Sequence, residues 1–139
     1  MEIPFQFTNI EIQEVNFSFP GAAMRDNKAF HYSINMQHRI NHEQKMVFVD
    51  TLVDVQLQDK QTKVAFMKTT CIYHLESLED YRSKTDPSRF ELPQNLVTEL
   101  NTISISTTRG VMFSQFRGTF LHNAILPVVE AKGFLQQKQ

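Results

Sequence analysis

Few residues in this chain could do chemistry, and their spacing works against most of it. His38 and His42 stand four apart, a spacing that converges on a metal only along one side of a helix. Here the surrounding pattern is that of a strand and its turn. The five histidines have no carboxylates or cysteines clustered at ligand-set spacing, so no metal site is expected. Asp50 and Asp54 share a strand face, but four strand residues span roughly 13 Å, too far for a shared proton; a solvated face explains them. Cys71 has no activating neighbour, because Lys68, three along a strand, falls on the other face. It reads as a small buried apolar residue. The four glycines are scattered singly, so no loop can cradle a phosphate. No catalytic residue and no cofactor is expected. The chain reads as one that binds rather than transforms.

At 139 residues the chain is expected to form a single domain, 1–139, burying about two-thirds of its unfolded surface without staples. The single cysteine excludes an intrachain disulfide. The start carries Glu2 but neither a basic run nor an apolar signal region, and no run is long enough to span a bilayer. A reducing, cytoplasmic setting without membrane insertion is expected. A formal net charge of -1 gives no electrostatic footprint for nucleic acid. Twelve phenylalanines, six methionines and no tryptophan suit a core or an adaptable binding surface.

The elements follow from periodicity. Ile3 to Phe19 alternates but changes phase twice: Ile3, Phe5 and Phe7, then Ile10 and Ile12, then Val15, Phe17 and Phe19. An extra residue in a strand reverses its faces, so a long strand with bulges is expected, ended by Pro20-Gly21. Phe30 to Ile40 alternates cleanly, as does Lys45 to Gln58 with Val47, Val49, Val53, Val55 and Leu57 on one face. Thr62 to Leu75 is the fourth strand. Short polar turns at 41–44 and 59–61 make these three an antiparallel meander. A helical turn is expected over 76–82. Pro93 suits the first turn of a helix, and Leu96, Leu100, Ile103, Thr107 and Val111 trace a stripe at spacings of three and four. Met112, Phe113 and Phe116 broaden it. Weak propensity over Thr102 to Thr108 and Gly110 admits a kink. The fold class is α+β: a four-stranded antiparallel sheet with one long C-terminal helix packed on it.

Arg117 to Pro127 follows that helix. Gly118 is its natural stop, in a conformation with positive φ. Phe120, Leu121, Ile125 and Leu126 then crowd apolar surface into a segment without helix or strand period, and Pro127 closes it extended. Such a segment must lie against its own core or against a partner.

These stretches resemble the SecB-like chaperone family. Phe5-Gln6-Phe7-x-x-Ile10, then Glu14-Val15-Asn16-Phe17 and Pro20, is similar to the family's opening strand. Arg117-Gly118-Thr119-Phe120, with Leu126-Pro127 behind it, is similar to the family's helix exit. Ile103 to Gly118 resembles its long helix, and the order of elements matches over nearly the whole chain. The resemblance implies a homotetramer, a dimer of dimers packed through the helices, and an ATP-independent holdase that grips unfolded clients in apolar grooves. It places client binding at Phe17, Phe19, Phe120, Leu121, Ile125 and Leu126. The helix stripe is wider than one sheet face needs, so Leu100, Ile103, Met112, Phe113 and Phe116 are expected at the oligomer interface.

The chain also departs from the export chaperones. It is near neutral where they are strongly acidic, and Phe134-Leu135-Gln136-Gln137-Lys138 leaves a stub where they carry a second helix and acidic tail. Glu14 keeps the first of two acids that dock the SecA motor in the family, while Ser18 stands at the second. The branch of solitary SecB-like chaperones encoded with toxin–antitoxin pairs is matched at least as well. The expected client is therefore a dedicated one such as an antitoxin. General preprotein export to SecA is the alternative, and a module sheltering a small apolar ligand is a further one.

Overall fold

The computed structural model describes residues 3–129; the expectation of a C-terminal stub falls outside the described residues. Four strands, β1 (Gln6–Phe17), β2 (Phe30–Asn41), β3 (Met46–Leu57) and β4 (Lys63–His74), precede a 23-residue helix, α1 (Gln94–Phe116). The sheet is antiparallel throughout, in the order β1-β4-β3-β2. Short 3-10 turns lie at Gly21–Met24 and Leu78–Tyr81. The architecture is the expected α+β one.

β1 is shorter than its alternation suggested, but its phase changes are real. Its register on β4 slips between Phe7 and Asn9 and again between Ile12 and Glu14. Each slip restores the apolar residues to one face. Phe7 pairs with Tyr73, Ile10 with Cys71, Ile12 with Thr69, Val15 with Met67 and Phe17 with Ala65. Those partners are all buried and face the helix. Directly opposed residues of an antiparallel pair share a face, so β1 presents its whole apolar set to the helix side.

α1 runs unbroken through Gly110, and its inward face differs from the one the apolar stripe suggested. Asn101, Ser104 and Thr108 are buried alongside Leu96, Val97, Leu100, Ile105, Met112 and Phe116, whereas Ile103, Thr107 and Val111 are only half-buried. The polar residues face inward because the sheet offers them partners. Asn101 Oδ1 lies 2.7 Å from His38 Nε2 on β2. The Tyr73 hydroxyl of β4 contacts Ser104 Oγ at 2.8 Å and donates to the Leu100 carbonyl at 3.2 Å. The Thr69 and Thr108 hydroxyls meet at 2.7 Å. Farther along, Phe116 packs edge-on against Phe17 of β1, with centroids 5.7 Å apart. These contacts trace a diagonal from β2 across β4 to the far end of β1. Satisfied buried hydrogen bonds fix register in a way that apolar packing alone does not.

On the other face of the sheet, Asp50 is buried rather than solvated as expected, at 1% exposure. Arg39 on β2 grips it from two residues along the neighbouring strand: Nε donates to Oδ2 and Nη2 to Oδ1, each at 3.0 Å. The Thr70 hydroxyl adds a bond at 2.6 Å, and Gln13 of β1 reaches Thr70 in turn at 3.3 Å. One polar ladder thus crosses all four strands. Burial alone would raise the Asp50 carboxyl, but Arg39 and Thr70 together hold it below the usual carboxylate value. Cys71 is buried as expected. Burial pushes its thiol up, among the side chains of Ser104, Tyr73 and Thr107.

Burial lowers the His38 imidazole below its ordinary value of 6.5, against the opposing effects of Asn101 and the Asp50 charge. The unfolded chain takes up this proton more readily than the folded one, so His38 favours folding above pH 6.5 and costs stability as pH falls below it. Denaturant melts of the wild type should therefore lose stability more steeply below pH 6.5 than those of His38→Gln, even though the variant gives up about 1–3 kcal/mol at neutral pH through the disturbed Asn101 bond. Parallel pH curves would contradict this.

Candidate functional site

A helix is about 10–12 Å wide, whereas the outer strands of a four-stranded sheet lie about 14 Å apart before their side chains are counted. α1 lies chiefly over β3 and β4, so both flanks of the sheet need other cover. The β2 flank receives it from the segment after the helix. Gly118, at φ +81, turns the chain as expected, and an added Cβ there would meet nothing within 4 Å. The constraint is therefore purely one of backbone conformation. Leu121, Ala124 and Leu126 then plug into the core. Arg109 of α1 fastens the return, Nε donating to the Leu126 carbonyl at 2.7 Å and Nη2 to the Pro127 carbonyl at 3.0 Å. The Ile125 backbone bonds Tyr32 of β2, whose hydroxyl is pushed up by burial.

The β1 flank keeps an open face. Phe7, Ile10, Ile12 and Phe17 remain 39%, 45%, 47% and 42% exposed although they share the core side of the sheet. Phe7 stacks on Tyr73 at 4.9 Å, so the strip is continuous with the core below it. At its far end Phe19, 63% exposed, meets Phe120 edge-on at 5.2 Å, and Phe17 lies 6.3 Å from Phe120. The result is an apolar strip along one edge strand, ending in an aromatic cluster. At about 3.3 Å per residue, the twelve residues of β1 match an extended segment roughly 40 Å long. The exposed side chains of this surface are large and apolar. Such a surface can hold apolar side chains of another chain.

The structure divides the residues expected to bind a client. Phe17, Phe19, Phe120 and Ile125 retain surface, while Leu121 and Leu126 are fully buried and support the segment from beneath. Phe7, Ile10 and Ile12, which were not among the expected residues, are exposed as well. Their phase pattern was visible, but their exposure depends on how far one helix reaches. The residues expected between subunits divide likewise. Leu100, Met112 and Phe116 are buried within the subunit and have no surface to offer; Ile103 is half-buried and Phe113 is 52% exposed. The helix's widened stripe is largely spent on the sheet and on the return segment.

Glu14 is exposed on the opposite face of β1, where it pairs across the ladder with Lys68 and accepts a bond from Asn16 Nδ2 at 2.7 Å. Among the described residues no group of histidine, cysteine, aspartate and glutamate side chains could hold a metal ion, and no helix is long and apolar enough to cross a membrane.

No family model matches the chain, and no curated protein matches it. Solved structures do. The Mycobacterium tuberculosis Rv1957 SecB-like chaperone, in complex with a ChAD peptide from the Rv1956 HigA1 antitoxin, superposes with a TM-score of 0.62 at 12% identity. The match covers 90% of this chain and 89% of that one. The fold of this chain is SecB-like.

The division between plug and strip is measurable. Leu121→Ala should cost about 2–5 kcal/mol in chemical denaturation, because it leaves a cavity in the core. Ile12→Thr, exposed and still β-branched, should stay within about 0.5 kcal/mol of the wild type. Similar losses in both variants would mean that the strip is core.

Proposed function

We propose that this chain is an ATP-independent holdase that grips unfolded or aggregation-prone polypeptides on the β1 strip and its aromatic end. One observation carries the reading: an edge strand turns five apolar residues toward the core side of its sheet, and α1 leaves most of them exposed. A protein with an apolar face of this kind has either a partner or an aggregation problem. Binding the unfolded state of a client draws it away from premature folding by mass action, without any input of energy. The neighbouring fold's complex with an antitoxin-derived peptide supports a client of that class.

A dedicated client such as an antitoxin is favoured over general export because the outer face of the sheet suits motor docking poorly. Glu14 faces Lys68 and Ser18 adds no further acid, so Glu11 and Glu14 are the only acids β1 places on that face among the described residues. Exposed ion pairs contribute only about 0–1 kcal/mol each, so docking of this kind needs several acids in register. The assembly is a homotetramer in this reading, a dimer of dimers, with Phe113 and Ile103 as the helix residues that still have surface to bury on a second subunit. A cytoplasmic location follows from the lone, buried thiol and the nature of the client.

The decisive experiment follows aggregation of a chemically unfolded reporter by light scattering. The wild type should suppress aggregation at stoichiometric amounts without nucleotide. The double variant Ile10→Thr, Ile12→Thr should lose most of that protection while keeping its melting temperature. Full protection by the double variant would remove the strip from the account. A companion titration against the motor's tail peptide at physiological salt should show only weak binding; submicromolar affinity would restore the general export reading.

A further inference from the structure

The two edges of the sheet are built differently. β1 is interrupted by its two register slips and carries Glu11 and Glu14. Bulges and charges are devices that guard an exposed edge against pairing. β2 has no such guard. All twelve of its residues, Phe30 to Asn41, pair with β3 in one unbroken register. It contains no lysine, no proline and no acid. Its one arginine, Arg39, turns inward over the neighbouring strand, bonding Asp50 and lying 4.9 Å from the Phe48 ring. Along a regular antiparallel edge, every second residue turns its N–H and C=O outward.

The segment after α1 does not take up those groups. It meets β2 from the helix side, with Leu121, Ala124 and Leu126 in the core and the Ile125 backbone at the Tyr32 hydroxyl. Between Phe30 and Gln37 no backbone group of β2 bonds any described segment other than β3. The side chains beside this row are equally unengaged. Ser33, Asn35 and Gln37 are exposed on the outer face, and among the described residues their side chains make no hydrogen bond. On the helix side Tyr32 and Ile34 are half-buried and Ile125 is 52% exposed. The edge thus offers a regular row of backbone donors and acceptors. Neutral polar side chains flank it on one face and apolar ones on the other.

Resting on the client-binding reading of the β1 strip, we propose that the β2 edge from Phe30 to Gln37 is a second grip on the same client, taking an extended segment as a fifth strand. The two sites hold different things. β1 holds bulky side chains, whereas β2 holds backbone, which every unfolded chain exposes. The segment that fits is uncharged and alternates apolar with small polar residues, matching the two flanking rows. A second copy of this chain is the poorer occupant. Two folded copies meeting edge to edge would bury mainly Ser33, Asn35 and Gln37, short of the roughly 1,000 Å² that a stable interface needs. A client already held on β1 presents its next segment at roughly millimolar effective concentration, so a weak edge contact suffices. The outer strands lie about 14 Å apart, a gap that a few extended residues cross.

The test uses the full chain and two fluorescent peptides. Both join a leucine- and phenylalanine-rich segment, for the strip, through a glycine–serine linker to a segment of alternating valine and threonine. In the second peptide every backbone nitrogen of the valine–threonine segment is methylated, which removes its donors and keeps its side chains. Fluorescence anisotropy should show the unmethylated peptide binding about tenfold tighter. Amide hydrogen exchange should slow at alternate residues between Phe30 and Gln37 with that peptide alone. Ile10→Thr with Ile12→Thr should weaken both peptides. Equal affinities, or slowed exchange on β1 in place of β2, overturn the β2 grip while leaving the strip as a client site. Slowed exchange on β2 that grows with protein concentration, without peptide, gives the edge to a second copy and overturns it too. If neither peptide binds, the client-binding reading falls and this proposal falls with it.

Discussion

One helix is too narrow to roof four strands. That mismatch of widths governs the rest of this molecule. β3 and β4 lie beneath α1, and their helix-facing residues form the core. The two outer strands are treated differently. β2 is covered by the segment after the helix, which exists to be pinned: a glycine turns it, Arg109 ties down its carbonyls, and Leu121, Ala124 and Leu126 are buried. Among the described residues nothing gives β1 such cover over most of its length, although its two register slips keep its apolar residues turned toward the core side. A strand that spends two bulges on holding Phe7, Ile10, Ile12, Val15 and Phe17 to one face, and then leaves most of them in water, is shaped by something other than its own stability.

The polar contacts beneath the helix serve the same end. An interface of leucines and valines alone would let a helix slide by a turn at small cost. The His38–Asn101, Tyr73–Ser104 and Thr69–Thr108 contacts hold its register on the sheet, and with it the position of Phe116 against Phe17. The aromatic cluster at the end of the strip is thus placed by hydrogen bonds some distance along the helix. On the other face, the ladder from Arg39 through Asp50 and Thr70 to Gln13 ties the edge strand to the far side of the sheet. An edge strand gains from such bracing, because the less packed margins of a fold are otherwise the first to open.

Much of this was legible in the residues. The strands and turns showed as alternation with β-branched residues between polar breaks, and the phase changes of β1 marked its bulges. Pro93 and Gly118 bracketed the helix. The inward face of α1 was not legible from hydropathy, because Asn101, Ser104 and Thr108 are polar and only their partners on the sheet explain their burial. Asp50 misled for the same reason: its partner sits two residues along a different strand, a diagonal that a one-dimensional pattern does not display. Leu121 and Leu126 looked like candidate groove residues, and so they would be if the segment did not fold back over β2. Phe7, Ile10 and Ile12 were visible as apolar but not as exposed, since exposure depends on where the helix crosses. The signal that could have found them is a count: four strands, one long helix and, among the described residues, no second helix laid over the β1 edge.

The central claim is that the uncovered face of β1 is where another chain lies. Methyl NMR of isoleucine-labelled protein reads this directly, residue by residue, on addition of an unfolded polypeptide. The account predicts that the methyl signals of Ile10 and Ile12 shift or broaden, while that of Ile105, buried under the helix, stays in place. Saturating client that leaves the Ile10 and Ile12 signals unmoved would contradict it.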